Sequence, residues 1–296
     1  MTDRREFLKH TGTAAIAALV PSLAMARQRT LPTRRIPGTD ERLSVVGLGQ
    51  SRAFRDKDVE SSKVLLKTFF EHGGGYIDCR DSMFHVASIS KSLGANDSAF
   101  IGSYFSGGNP TESEASARQL SAIRGAQSVD LMQTVPEDGV PNWDVFRRWK
   151  DEGLTRFIGL ARHNSSYYDA MMKVMATGTM DFVQVNLSLL ETEAEDRLLP
   201  MAMDKGVAVA INRPFINGRY FSIVKGHSLP AWAIDFDCTS WAQFSIKYIL
   251  SHPAVTCVLT ETANPDHLLD NLGGGIGRLP DAKTRIRMRQ LVQELV

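Results

Sequence analysis

The spacing of apolar positions alternates between two periods along most of the chain. Short, nearly continuous apolar runs at 45–49, 76–79, 99–104, 129–135, 156–160, 182–187, 207–211 and 255–259 read as buried strands. Between them lie stretches with apolar residues three and four apart. The clearest is 58–72, with Val59, Val64, Leu65, Leu66, Phe69 and Phe70 before a stop at Gly73. Comparable helical stretches cover 86–93, 111–124, 143–152, 165 to about 176, 194–205 and 239–250, and 265–272 and 281–295 close the chain. Pro37-Gly38-Thr39-Asp40 centres a hairpin over 34–43. Eight strands alternating with helices predict parallel pairing through right-handed crossovers. In about 250 residues that pattern suits a (β/α)8 TIM barrel with an N-terminal β-hairpin over an open sheet.

Composition changes this picture only at the N-terminus. The 296 residues are 43% hydrophobic and 23% charged with a formal net charge of +1. This is ordinary for a globular chain and suggests no nucleic-acid surface. No apolar run is long enough for a stable membrane span. Residues 1–26 differ from the rest. Arg4-Arg5-Glu6-Phe7-Leu8-Lys9 resembles a twin-arginine export signal, followed by an apolar segment at 13–20, Pro21 and the small-x-small pattern Ala24-Met25-Ala26. The domain reading is therefore a signal peptide at 1–26, a flexible lead at 27–33 and one barrel at 34–296. It implies the twin-arginine machinery as a partner and a periplasmic location. Cys79, Cys238 and Cys257 are odd in number and lack metal-ligand spacing, so burial is their expected role and no metal is expected.

Candidate chemistry sits where the apolar runs end. Asp78 closes the run Tyr76-Ile77, a place where barrel enzymes carry reactive groups. With the hairpin and Val45-Val46-Gly47-Leu48-Gly49, this stretch resembles the aldo/keto reductases. So do Val129-Asp130-Leu131-Met132-Gln133, Phe157-Ile158-Gly159-Leu160, Gln184-Val185-Asn186, 206–215, and Asn264-Pro265-Asp266-His267-Leu268 through Asn271-Leu272. The resemblance implies a nicotinamide-dependent oxidoreductase acting on a small molecule. That family uses an aspartate, a tyrosine, a lysine and a histidine. Here only the aspartate is carried, as Asp78. Met83, Tyr104 and Val135 stand at the other three places.

Classical NADPH-dependent carbonyl reduction is therefore not expected. The candidate catalytic set is Asp78, Tyr104 and His163, with Tyr104 as proton donor near its ordinary pKa of about 10. The resemblance places Gln184, Arg213, Thr262 and Asn271 at the cofactor, NAD or NADP, and Glu261 opposes a 2′-phosphate and so favours NAD. The competing reading is a pseudoenzyme, a barrel that binds a small molecule or a protein without turnover. In it Arg213 is the ion-pair partner of Asp78.

Overall fold

The computed structural model describes residues 30–80, 83–105 and 109–296. The export-signal reading of 1–26 lies outside the described residues. Strands β1 (Thr33–Arg35) and β2 (Arg42–Ser44) pair antiparallel as the expected hairpin. Eight strands then form a closed parallel barrel. They are β3 (Val46–Leu48), β4 (Tyr76–Arg80), β5 (Phe100–Tyr104), β6 (Val129–Thr134), β7 (Thr155–Ala161), β8 (Phe182–Asn186), β9 (Ala208–Asn212) and β10 (Val255–Thr260). Strand β10 pairs with both β9 and β3 and closes the ring. Leu31, in the lead by sequence pattern, is buried and donates its N–H to the carbonyl of His72.

Alternation along the strands separates two cores. Ile77, Cys79, Ile101, Met132, Ile158, Val183 and Val209 point outward into the layer of helices. Tyr76, Phe100, Leu131, Phe157, Phe182, Ala208 and Cys257 fill the barrel, and Ile36 and Leu43 of the hairpin close its N-terminal end. The rings of Tyr76 and Phe100 meet edge to face at 5.3 Å, and those of Phe157 and Phe182 at 5.5 Å. A Cβ on Gly102 would stand 3.0 Å from Cε2 and 3.1 Å from the hydroxyl of the fully buried Tyr76. Gly102→Ala is expected to destabilise by about 1–3 kcal/mol through overpacking, seen as a lower urea midpoint with an unchanged slope.

Below this core, charges lock the N-terminal face. Buried Asp130 accepts from Arg124, from Arg156 at 2.7 Å and from the backbone N–H of Ile101 at 2.8 Å. Arg124 also donates to the carbonyls of Asn96 and Ala99, and Arg156 reaches Glu41 in the hairpin turn.

Helices cover the barrel where the periodicity predicts, with short additions it does not show. Helical turns at Arg52–Arg55, Pro136–Gly139 and Arg219–Ile223, and 3-10 turns at Glu193–Glu195 and Ala231–Phe236, are too short to carry a periodic signal. The long segment after β9 is thus folded into turns that lie over the barrel. The three cysteines are free and buried. Among the described residues no helix is long and apolar enough to cross a membrane.

Candidate active site

The inward parity that places Tyr76 in the barrel core places Asp78 one layer above it and Arg80 one layer higher, at the C-terminal mouth. Asp78 is 3% exposed. Its carboxylate accepts from Nε2 of Gln133 at 2.5 Å and from Nε2 of Gln184 at 3.3 Å. Burial pushes its pKa up to about 7. Glu261 adds to the rise, while the amides of Gln184, Gln133 and Gln50 oppose it. Both glutamines keep a buried Oε1 with no hydrogen-bond partner. Among the described residues it is amides, not a lysine, that hold this carboxylate.

Tyr104 ends β5 directly across from Arg80. Its phenol is not near the ordinary value the sequence suggested. Burial pushes it up to about 12, with Asp78 adding to the rise and Arg162 and Arg80 opposing it. It remains protonated, a hydrogen-bond donor and not a base.

His163 stands two residues beyond the end of β7. Its ring is affected by Arg213, Arg162 and Glu191, and burial with the two guanidiniums holds it below its ordinary pKa. Nor does Arg213 pair with Asp78. It faces Glu191 at 3.6 Å and donates to the carbonyl of His163 at 3.4 Å. Glu191 is itself held by Asn186, which receives the hydroxyl of Tyr168. An inter-strand network after β8 and β9 thus takes the arginine that the alternative reading gave to Asp78.

Two cavities open beside this mouth, between the segments that follow β9 and β10. One, of about 570 Å³, is lined by Phe215, Phe221, Trp241, Thr262, His267 and Asn271 among others. The second, of about 560 Å³, is lined by Arg55, Arg213, Pro214, Asn217 and Gly218. Phe215, Phe221 and Glu261 line both, so the two form one groove. Three of the four expected cofactor residues, Arg213, Thr262 and Asn271, lie along it. The fourth, Gln184, lies at the barrel mouth against Asp78. The Thr262 hydroxyl is engaged in the turn that starts helix Pro265–Gly273, where it accepts from the N–H of Asn264. Glu261 is paired with Arg55 at 3.2 Å. Arg213, Ile216 and Asn217 all have positive φ, followed by Gly218, so one wall of the groove is a tightly curled backbone. Inside it the N–H groups of Ile216 and Gly218 are taken by the carbonyls of Arg213 and Phe215.

Gln50, Gln133, Arg80, Arg162 and Glu137 are the site residues that sequence reasoning missed. Parity alone marks two of them. Gln133 follows inward Leu131 by two residues, and Arg80 follows inward Asp78 by two. Among the described residues no group of three or more His, Cys, Asp or Glu side chains is placed to hold a metal.

The architecture is that of an aldo-keto reductase. The chain superposes on an aldo-keto reductase from Bacillus halodurans in its holo form with a TM-score of 0.70 and 15% identity, over 90% of this chain and 96% of that one. It superposes on an aldo-keto reductase from Klebsiella pneumoniae in complex with NADP and acetate with a TM-score of 0.69 and 16% identity, over 89% and 95%. In sequence it is 23% identical over 177 residues to the NADH-specific methylglyoxal reductase of Escherichia coli (strain K12). That match spans 51% of this chain and about half, 53%, of the relative. No family model matches. The structural likenesses show the aldo-keto reductase fold.

Proposed function

We propose that the protein is a nicotinamide-dependent oxidoreductase that reduces a small carbonyl compound, with Asp78 in place of the family's lysine-assisted tyrosine as the source of the proton. The observation that carries this reading is Asp78 itself: an inward-facing carboxyl in the middle of β4, buried, held by two glutamine amides and titrating near pH 7. A group poised at the working pH is what general acid catalysis requires.

The groove residues fit a dinucleotide. The guanidinium of Arg213 in the groove wall suits a diphosphate, and Phe215 and Trp241 offer ring faces for a base. The unpartnered Oε1 of Gln184 is free to accept from a carboxamide. When bound, the dinucleotide would supply the hydride. The chain's part is to hold the carbonyl oxygen near the Tyr104 hydroxyl and to deliver the proton that completes the alcohol.

Glu261 lines both parts of the groove, and Asp270 lines the part nearer Asn271. Two carboxylates repel an added 2′-phosphate, so NADH is expected to bind at least about tenfold tighter than NADPH. Titration followed by the fluorescence of Trp241 and the dinucleotide tests this. Equal affinities would remove the argument from Glu261, and no binding of either would remove the oxidoreductase reading. With NADH bound, Asp78→Asn is expected to slow carbonyl reduction roughly 100-fold or more and to abolish the inflection near pH 7 in the rate profile. Binding without any turnover over a broad carbonyl panel would leave the non-catalytic barrel, a reading that no observation here favours.

We further propose export through the twin-arginine route, on the strength of Arg4-Arg5 and the pattern at 1–26. Replacing both arginines by lysine is expected to keep the protein out of the periplasmic fraction.

A further inference from the structure

We propose that the substrate carries an anionic group beside its carbonyl, and that Arg80, Tyr104 and Arg162 bind that group; this rests on the oxidoreductase reading of the same site. At the barrel mouth, Arg55 is paired with Glu261, Arg162 with Glu137 at 2.5 Å, and Arg213 with Glu191. Arg80 has no carboxylate partner among the described residues. Its inward parity places it one layer above Asp78.

Arg80 is not idle. Its Nε donates to Oε1 of Gln50 at 3.0 Å, and the Gln50 amide bears on Asp78. That contact sets the guanidinium plane and leaves its two terminal nitrogens for another acceptor. A planar fork with two free N–H2 groups matches a carboxylate or phosphate edge. Tyr104 lies directly across on β5, and Arg162 reaches it from beyond β7. Arg162 spends NH2 on Glu137 and rests its guanidinium over the Tyr167 ring at 4.7 Å. Its buried Nε has no hydrogen-bond partner. Two guanidiniums thus flank one protonated phenol, and an unused donor remains on each guanidinium. An anion here neutralises Arg80 and places an adjacent carbonyl over Asp78, within reach of the same mouth. The substrate class is a short oxo acid or an aldehyde phosphate.

The test uses the full mature chain with NADH bound and oxamate, a non-reducible stand-in for a 2-oxo acid, followed by tryptophan fluorescence. Oxamate is expected to bind, and Arg80→Gln to weaken it roughly 10- to 100-fold, as expected for loss of a charge-assisted pair. Arg80→Lys is expected to recover part of the affinity, and Arg118→Gln, on the outer surface, to change nothing. Phosphoglycolate and inorganic phosphate titrated in parallel separate a phosphate preference from a carboxylate one, and either preference supports the proposal. NADH binding with no oxamate or phosphate binding overturns the proposal and leaves the oxidoreductase reading standing. Failure of NADH to bind overturns that reading instead, and anion binding lost in Arg80→Gln would still support the cradle. Equal anion affinity in wild type and Arg80→Gln overturns it.

Discussion

Asp78→Asn is expected to make the protein more stable in mildly alkaline solution than the wild type, and the gain should shrink as the pH falls. The folded-state pKa of Asp78 is raised from 3.8 to about 7. The native state therefore prefers the neutral carboxyl. Its contribution to stability is fully present below pH 3.8 and is lost as the pH rises through about 7. Above that window the native state carries a buried charge that water would solvate better. The difference between the two pKa values corresponds to about 4 kcal/mol at full effect, of which about 2–3 kcal/mol appears between pH 5 and pH 8. Asparagine is the right replacement because Gln133 and Gln184 each hold an unpartnered Oε1 and can turn to accept from it. Urea denaturation of wild type and variant at pH 5 and pH 8 measures the difference directly. A stability gap that does not change with pH would show that Asp78 is an ordinary ionised carboxylate, and the proposed role in proton transfer would fall with it.

Asp130→Ala is expected to have the opposite sign and a comparable size. Removing this carboxylate leaves Arg124, 7% exposed, without its counter-charge, and frees the N–H of Ile101. The cost of stranding a buried charge in this way is about 3–5 kcal/mol. Arg156→Met should cost less, since its side chain is 37% exposed and solvent can replace the lost contact. The double change Asp130→Leu with Arg124→Met is expected to recover much of the loss, because no buried charge then remains unpaired. Denaturant midpoints for the three variants check this order. Because Asp130 lies on the N-terminal face, nucleotide binding by the surviving folded protein should be unchanged.

Neither prediction follows from the family resemblance. In the sequence, Asp78 is a charge at the end of an apolar run. Its protonation follows from burial by the closed barrel, opposed by two glutamine amides that reach it from β6 and β8, 55 and 106 residues away. Similarly, Asp130 reads as an inserted polar residue in a strand. Its role depends on Arg124 arriving from the preceding helix and Arg156 from the next strand.

Local periodicity carried the barrel. Eight apolar runs separated by amphipathic stretches permit few topologies, because strand parity and crossover handedness act on neighbouring segments. The same local signal placed Asp78, Tyr104 and Gln184 at strand ends; Tyr104 does end β5, whereas β4 and β8 run two residues beyond Asp78 and Gln184. The groove residues Arg213, Thr262 and Asn271 came from the family resemblance and not from periodicity.

Pairing between side chains was not legible, because it is set by the ring closure of the sheet and by long-range contacts. Arg213 was available to Asp78 on paper and is held by Glu191 in space. The carbonyl of His163 accepts from the same Arg213. Tyr104 has a phenol pushed upward because the closed barrel removes water from it, an effect that no spacing in the chain expresses. The amino-acid sequence by itself determined a (β/α)8 barrel and the position of Asp78 on its second strand, through patterns of period two and three to four. Only the tertiary structure decided what surrounds that carboxylate: three glutamine amides and an arginine without a carboxylate partner among the described residues, brought together by burial and barrel closure from segments far apart in the chain.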